Sequence, residues 1–269
     1  MNDTASVFKG SMPQFYDRYL GPYLFRPYAA DLAGRFSDLP SGPLLETACG
    51  TGIVTDALAG AVPAPVEIVA TDLSPQMIAY AAEKKFPPNV SFREANAQAL
   101  PFEDASFERV GCQFGVMFFP DKPQAYREAH RVLKPGGRFV FNVWDGFERN
   151  ELPRIAVQAL AELFPHDPPS FVRRVPYGYN DVNAIALALR DAGFTRSSVE
   201  AVNKVIQVPS ARDYAIGACQ GGPARAEIEA LDAGRLDRAT DAVTRALEKH
   251  FGSGPIEAKS QALIFTAWR

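Results

Sequence analysis

The sequence predicts an α/β fold in which a mostly parallel sheet carries helices on both faces. Between residues 44 and 145, short apolar runs alternate with helix-like segments of about ten residues, a pattern typical of repeated βαβ units. A glycine-rich turn follows the first apolar run, in "LLETACGTGIVTDAL" from Leu44 to Leu58. The 269 residues are 47% hydrophobic and 22% charged, which suits a large soluble domain with a sizeable core.

The apolar runs of this region predict five strands, and the segments between them predict helices. The strands are expected at PLLETA, VEIVATDL, VSFREANA, FERVGCQFG and RFVFNVWD, in chain order. One helix, SPQMIAYAAEKK, has Ser74 at a favourable N-cap position and Pro75 where a first helical turn tolerates proline. Another, KPQAYREAHRVL, is expected to stop before Pro135-Gly136-Gly137.

The remaining segments complete the sheet and predict a cover over it. Two further strands are expected at SSVEAVNKVIQV and KSQALIFTAW, which makes a Rossmann-like, doubly wound sheet of seven strands. Residues 1–40 are rich in aromatic side chains and are predicted to form an N-terminal helical lid. Residues 41–269 are predicted to form the main domain, with insertions at about 146–180 and 210–255 that cover the carboxyl ends of the strands.

Small and polar residues collect at one edge of the predicted sheet. In doubly wound sheets the ligand lies beyond the carboxyl ends of the strands. The glycine turn would bring bare main-chain amides against that ligand, since glycine has no Cβ. The residues expected at this edge are Ala48–Gly52, Asp72, Asn96, Gln113 and Asp145.

The turn by itself is compatible with three kinds of ligand. A triphosphate loop requires a lysine followed by a hydroxyl residue at a fixed spacing, and neither is so placed here. A dinucleotide turn requires a third glycine where this chain has Thr55, and that glycine allows the helix to pack closely on the strand. An adenosine-containing ligand of another kind is the third possibility.

Four motifs, in order and at matching spacing, resemble the class I S-adenosylmethionine-dependent methyltransferases. LLETACGTG resembles the strand, acidic residue and glycine turn of the family, with Ala48 in place of the usual first glycine. VATDLSPQMI resembles the second motif, and EANAQALPFEDASFERV the third, with Asn96 where many relatives have aspartate. REAHRVLKPGGRFVFNVWD resembles the stretch that leads into strand five. The resemblance covers residues 44–145 and is greatest to the quinone-biosynthesis-like small-molecule methyltransferases.

The resemblance implies S-adenosylmethionine as the cofactor. Glu46 would accept a hydrogen bond from its cationic amino group, Asp72 from its two ribose hydroxyls and Asn96 from the adenine amino group. Leu73 and Met77 would supply apolar contact to adenine. The residues predicted to bind the cofactor are Tyr19, Glu46, Ala48, Gly50, Thr51, Gly52, Asp72, Leu73, Met77, Asn96, Ala97 and Gln113.

The resemblance also implies in-line transfer of a methyl group to a small, partly apolar acceptor, by O-, N- or C-methylation. Proximity and the exclusion of water are then the main contributions of the protein. Gln113 is predicted to lie nearest the transferred methyl group, His166 is the candidate general base, and Tyr16 or Tyr19 would close the site. The residues predicted to line the acceptor pocket are Phe114, Trp144 and Asp145.

Composition bears on the partners and the location of the protein. A net charge of −3 gives no sign of a nucleic-acid partner, and no run reaches the roughly 18 apolar residues of a membrane span. The three cysteines are dispersed and have no metal-ligand spacing. We therefore expect a cytoplasmic monomer or homodimer without a metal. The alternatives left open are an NAD(P)-dependent oxidoreductase and a non-catalytic S-adenosylmethionine-binding protein.

Overall fold

A computed structural model describes residues 12–39, 41–222, 224–232, 234 and 236–269, and these contain a seven-stranded sheet. The strands are β1 (Leu44–Thr47), β2 (Ile68–Asp72), β3 (Val90–Glu94), β4 (Phe107–Gln113), β5 (Leu133–Trp144), β6 (Arg196–Val208) and β7 (Ile256–Trp268). Their spatial order is β3-β2-β1-β4-β5-β7-β6. Strands β1 to β5 pair in parallel, and β7 is antiparallel to both β5 and β6. The predicted mostly parallel, seven-stranded, Rossmann-like sheet is confirmed.

Helices connect the strands and cover their carboxyl ends. The α-helices are α1 (Met12–Phe15), α2 (Arg26–Gly34), α3 (Ile53–Ala61), α4 (Pro75–Ala82), α5 (Lys122–Val132), α6 (Glu151–Leu163), α7 (Phe171–Arg174), α8 (Val182–Asp191), α9 (Ala211–Ile216), α10 (Ala224–Leu231) and α11 (Leu236–Phe251). Two π-helices span Tyr16–Phe25 and Gly217–Gly221, and two short 3₁₀ turns span Val116–Phe118 and Phe147–Arg149. Residues 1–11 and 40 of the predicted lid lie outside the described residues.

Helix α4 begins where the sequence predicts an N-cap. The Ser74 hydroxyl accepts a hydrogen bond from the Met77 amide at 3.4 Å, and Pro75 occupies the first helical position. The helix ends at Ala82 rather than at the predicted Lys85, and the side chain of Lys84 turns back towards the site described below. Lys84, predicted to lie in the helix, instead lies beyond its end and contacts residues distant in sequence.

The core lies between the sheet and the helices on both of its faces. Phe141 of β5 is directly opposite Phe265 of β7, and their rings stack with centroids 5.1 Å apart. Such cross-strand aromatic pairs stabilise a sheet beyond the area they bury. Tyr28 of α2 is fully buried, and its hydroxyl donates to Ser260 of β7 at 3.1 Å. This contact holds α2 against the sheet.

Strand β5 begins earlier than the sequence predicts. Pairing with β4 joins Phe107 to Leu133 and then Arg109 to Arg138, so that an irregularity takes up the intervening residues. Gly136 has a positive φ of 79°, and a Cβ on Gly137 would lie 2.8 Å from a main-chain oxygen. The proline–glycine segment thus ends α5, as predicted, but it also lies within the strand as an irregularity.

The turn from β1 to α3 contains an alanine in a conformation that favours glycine. Ala48 has a φ of 54°, in the left-handed region, where a Cβ is crowded by the main chain. A Cβ on Gly115 would lie 2.5 Å from the Cβ of Ala48. The departure from the family's glycine at position 48 is therefore accommodated by local strain and by a glycine opposite.

Replacing Ala48 with glycine should stabilise the protein. The relief of left-handed strain exceeds the added entropy of the unfolded chain by about 0.5–1 kcal/mol, and urea unfolding measures the difference. The matched control is Ala57→Gly, the same change inside α3, which should destabilise by about 0.5–1 kcal/mol. A loss of stability in Ala48→Gly would contradict the assignment of strain to this residue.

Candidate functional site

The glycine turn is held by the end of the neighbouring strand. The amide of Cys49 donates to the carbonyl oxygen of Thr71 at 2.9 Å, and the amide of Gly50 donates to Asp72 Oδ2 at 2.8 Å. Gly50 has a φ of 55°, and a Cβ added to it would meet no atom within 4 Å. Gly52 differs, because its Cβ would lie 3.1 Å from the ring of Phe86. Gly50 therefore borders open space, whereas Gly52 is needed for packing.

Asp72 joins the two strand ends that border this space. Its Oδ2 accepts from the Gly50 amide and its Oδ1 from the Ser74 amide, each at 2.8 Å. Burial raises the pKa of Asp72 above its usual value, and the hydrogen bonds from the two amides oppose the rise. A carboxylate has about four acceptor sites. Those that the amides leave unused remain available to a ligand.

Glu46, at the end of β1, is almost completely buried beside Asp72. It is 1% exposed, and Oε2 accepts a 2.6 Å hydrogen bond from the hydroxyl of Thr55. Burial raises the pKa of Glu46 to about 8, and the neighbouring Asp72 charge adds to the effect, whereas the Thr55 hydroxyl opposes it. Among the described residues, neither Glu46 nor Asp72 forms an ion pair. The turn is thus bordered by two acidic side chains that have no ion-pair partner in the described part of the chain.

The N-terminal segment, residues 12–34, lies over the turn. Asp17 Oδ1 accepts from the Thr51 hydroxyl at 2.9 Å and from Lys84 Nζ at 2.7 Å. Lys84 also donates to the main-chain oxygen of Thr51 at 2.8 Å, and the Tyr80 hydroxyl donates to Asp17 Oδ2 at 3.3 Å. Tyr16 lies close enough for Asp72 and Asp17 to add to the rise in its pKa that burial causes. One aspartate therefore ties this segment to both α4 and the turn.

Four predicted adenine contacts lie in different surroundings. Leu73 is 42% exposed, unusual for a large apolar side chain beside a site, whereas Met77 is 3% exposed and belongs to the interior. Asn96 is exposed, and its Oδ1 accepts from the Gln98 amide at 2.9 Å; Ala97 is half-buried. Leu73 therefore presents a free apolar surface beside Asp72.

The ends of β4 and β5 place an aromatic pair next to the glycine turn. Phe114 has a strained φ of 50°, and its amide donates to the side chain of Asn142 at 2.8 Å. Its ring stacks on Trp144 with centroids 3.7 Å apart. Gln113 donates to the carbonyl oxygen of Phe25 at 3.2 Å and accepts from Asn142 at 3.3 Å. Gln113 thus joins the N-terminal segment to the sheet.

An apolar cavity of about 110 Å³ lies beside this aromatic pair. The N-terminal segment, the two strand ends and both predicted cover insertions contribute to its wall. The lining residues are Tyr16, Leu20, Leu24, Phe25, Phe114, Phe118, Trp144, Pro153, Ala156, Val157, Leu160, Val172, Pro176, Tyr177, Tyr214, Ala218, Gly222 and Ala224. None of these side chains carries a charge. Since sites for drug-sized molecules are typically about 300–1,000 Å³, a larger acceptor requires the wall to open.

Three predicted site residues lie apart from the cavity wall. Asp145 turns its carboxylate back to the Gly146 amide at 2.6 Å. His166 is exposed in the turn after α6, so its imidazole is not placed to act as a base on a ligand in the cavity. The rings of Tyr19 and Phe15 stack with centroids 5.9 Å apart. The Tyr19 side chain packs closely against Gly217, where an added Cβ would lie 3.1 Å from the Cβ of Tyr19. Tyr16 is the tyrosine of this segment that reaches the cavity.

Sequence reasoning missed several residues that build the site. From the sequence, Thr55 indicates only that the third glycine of a dinucleotide turn is absent. The buried carboxylate of Glu46 requires a hydrogen-bond donor, and Thr55 in the first turn of α3 supplies it. Asp17 and Lys84 meet across 67 positions of sequence, and Asn142 and Phe114 across 28. No local pattern reports such pairs.

Membrane-spanning helices and metal-binding clusters are both absent from the described residues. No helix among them is long and apolar enough to cross a membrane. In the same part of the chain, no group of three or more His, Cys, Asp and Glu side chains could bind a metal ion. The three cysteines are buried and unbonded to one another.

Comparison with known proteins gives the family. Residues 45–141 match the family described as "Methyltransferase domain". The chain is 34% identical over 167 residues to a demethylmenaquinone methyltransferase of Chlorobaculum tepidum, over 57% of this chain and 66% of that protein, slightly under two thirds. It is 32% identical over 177 residues to a ubiquinone/menaquinone biosynthesis C-methyltransferase UbiE of Rhizobium etli, over 59% of this chain and 67% of that protein.

A solved structure shares the fold. A phosphoethanolamine N-methyltransferase 2 of Haemonchus contortus, in complex with phosphomonomethylethanolamine and S-adenosylhomocysteine, has a TM-score of 0.64 and 16% identity. The match covers 100% of this chain and 61% of that one. This likeness shows the fold alone. The family match and the curated relatives confirm the resemblance and the cofactor that the sequence predicts. The chain belongs to the class I S-adenosylmethionine-dependent methyltransferases of the quinone-biosynthesis type.

Proposed function

We propose that this protein transfers the methyl group of S-adenosylmethionine to a small, uncharged, partly apolar acceptor bound in the cavity. The observation that carries the proposal is that an acidic turn and an uncharged cavity lie next to each other. Glu46 and Asp72, which form no ion pair with any described residue, border the turn. An uncharged cavity begins at Phe114. The sulfonium and ammonium groups of the cofactor suit the first environment, and an apolar acceptor suits the second.

The residues at the turn fit the parts of the cofactor. Asp72 would accept from the ribose hydroxyls through its unused lone pairs, while its hydrogen bond to the Gly50 amide keeps the turn open. Glu46, oriented by Thr55, would receive the cationic amino group. The exposed side chain of Leu73 would cover adenine, with Asn96 and Ala97 at its edge. The bound cofactor supplies the activated methyl group.

The same acidic pair disfavours the dinucleotide alternative. A pyrophosphate beside the turn would face the Asp72 carboxylate, and Lys84, the described cation that contacts the turn, is already paired with Asp17. A non-catalytic binding protein would need no acceptor site. The described cavity supports catalysis instead, because Phe114 of its wall is followed by Gly115, which packs against Ala48 of the glycine turn.

The transfer step requires alignment and a dry site more than it requires a base. The apolar wall excludes water, and proximity supplies a large part of the barrier reduction. Gln113 would help to position the N-terminal segment against the sheet, since its side-chain amide donates to Phe25 and accepts from Asn142. None of the described cavity residues is a histidine, so the proposal gives no role to an imidazole base.

The relatives and the cysteines support the class of acceptor and the location. One curated relative is named a demethylmenaquinone methyltransferase and the other a ubiquinone/menaquinone biosynthesis C-methyltransferase. Quinone rings are uncharged and largely apolar, which suits a cavity without charged side chains. Three buried, unbonded cysteines suit a reducing compartment. The proposal therefore places a monomer or homodimer in the cytoplasm, acting on a small molecule rather than on nucleic acid.

Calorimetry with S-adenosylhomocysteine and with NAD tests the cofactor. We expect binding of S-adenosylhomocysteine alone, and Asp72→Asn should weaken it by about 10- to 100-fold, because hydrogen bonds to a charged group are lost. The matched control is Asp56→Asn, which removes the same charge from an exposed position on α3 and should leave affinity unchanged. Binding of NAD alone, or an unchanged Asp72→Asn variant, would contradict the proposal.

The raised pKa of Glu46 predicts that cofactor binding releases a proton. Below about pH 8 the ligand-free carboxyl is protonated, whereas the cationic ligand favours the carboxylate. Affinity for S-adenosylhomocysteine should therefore rise with pH, by up to about tenfold per unit between pH 6 and 8. Titrations in buffers of different ionisation enthalpy measure the released proton. In Glu46→Gln the dependence should vanish, and a flat profile in the parent protein would remove Glu46 from the cation site.

Limited proteolysis tests whether the N-terminal segment is a lid. Bound S-adenosylhomocysteine should slow tryptic cleavage after the exposed Arg18 several-fold, since a closed lid is protected. Lys84→Gln, which removes the contacts to Asp17 and Thr51, should speed this cleavage in the ligand-free protein. Cleavage after Arg190, 70% exposed on α8, is the internal control. Equal rates after Arg18 with and without ligand would refute a lid.

A further inference from the structure

Two tyrosines that line the cavity have hydroxyls without a hydrogen-bond partner among the described residues. Tyr177 is 7% exposed and Tyr214 is 3% exposed, and both rings line the wall. Within the described residues, no side-chain or main-chain group forms a hydrogen bond with either hydroxyl. Buried phenol hydroxyls in folded proteins usually have a partner. This pair therefore calls for an explanation.

Other buried tyrosines of the molecule follow the usual pattern. The hydroxyl of Tyr28 donates to Ser260 at 3.1 Å, and Tyr126 and Tyr179 bond to each other at 3.0 Å. Tyr28 lies near Tyr177, and its charge when ionised contributes to the raised pKa of Tyr177, but its hydroxyl is already engaged. The missing partners are thus a feature of the cavity and not of buried tyrosines in general.

Both residues line the cavity, and neither hydroxyl oxygen is fully enclosed. The fully enclosed side-chain atoms without a partner, among described residues, are Nε of Arg109 and Nε of Arg138. Neither tyrosine oxygen is among them. Burial raises the pKa of both phenols, and the nearby Tyr214 adds to the rise at Tyr177. Both hydroxyls are therefore protonated near neutral pH and able to donate.

Tyr177 and Tyr214 lie in the wall of the proposed acceptor cavity and not at the glycine turn proposed for the cofactor. The ring of Tyr177 stacks on Trp144 at 5.7 Å, and Trp144 stacks on Phe114, which borders the glycine turn. Tyr214 belongs to α9, in the second cover insertion. The other lining side chains are apolar apart from the hydroxyl of Tyr16 and the indole N–H of Trp144. The two phenols are therefore donors in a site with no charged group.

We propose that Tyr177 and Tyr214 donate hydrogen bonds to an uncharged oxygen of the acceptor, a carbonyl or a hydroxyl, and so select oxygen-bearing apolar ring compounds. This inference rests on the proposed function in taking the cavity as the acceptor site. An acceptor without such an oxygen would leave both donors unsatisfied, which a site of this kind penalises strongly. A charged acceptor group would find no counter-charge.

The binding of p-cresol and of toluene distinguishes the possibilities, because the two differ by one hydroxyl. An apolar cavity without donors favours toluene, since burying an unbonded hydroxyl is unfavourable. With the two phenols as donors, the protein should bind p-cresol about tenfold more tightly than toluene, as measured by calorimetry. The experiment needs neither cofactor nor turnover, so its failure is distinguishable from failure of the proposed function.

Three variants assign the preference to the tyrosines. Tyr177→Phe and Tyr214→Phe should each reduce the preference for p-cresol, and the double variant should favour toluene. Tyr179→Phe, which removes a hydroxyl outside the cavity wall, should keep the parent preference. A parent protein that favours toluene or binds neither probe would overturn the inference, as would a double variant that still favours p-cresol.

Discussion

The carboxylate of Asp72 holds the ends of β1 and β2 in one arrangement, because its two oxygens accept from the amides of Gly50 and Ser74. The turn that it holds is not one the chain adopts unaided, since Ala48 and Gly50 both have left-handed backbone angles. The start of α3 depends on this turn. So does the hydrogen bond between Thr55 and Glu46, and so does the surface that Asp17 contacts.

Two environments meet at the carboxyl edge of the sheet. On one side, Glu46 is buried and Asp72 is half-buried, and neither forms an ion pair with another described residue. On the other side, the described lining of the cavity has no charged side chain. Phe114 and Gly115 form the boundary, with the strained Phe114 held by Asn142 and Gly115 against Ala48. A reaction between a cation and an apolar acceptor requires such a boundary, because neither ligand would be stable in the environment of the other.

The central part of the fold was predictable because its signals are local. Alternating apolar runs and capped helices place β1 to β5 in order, and the resemblance of the motifs indicates the cofactor. The predicted role of Gly52 as a close approach to the ligand is less well supported by the geometry, because Phe86 packs there. His166, the predicted general base and one of three histidines, lies in an exposed turn. Periodicity does not report which side of a cover faces the cavity.

The sequence by itself determined the sheet, the glycine turn and the acidic residues beside it, because each arises from neighbours along the chain. Tertiary structure decided the burial, the pKa values and the hydrogen-bond partners of those residues. Glu46 has a raised pKa because β1 is buried within the sheet and α3 brings Thr55 onto it. The cavity exists because three segments distant in sequence converge over the strand ends. Burial and long-range contact depend on the whole packed chain, and no short stretch of sequence contains them.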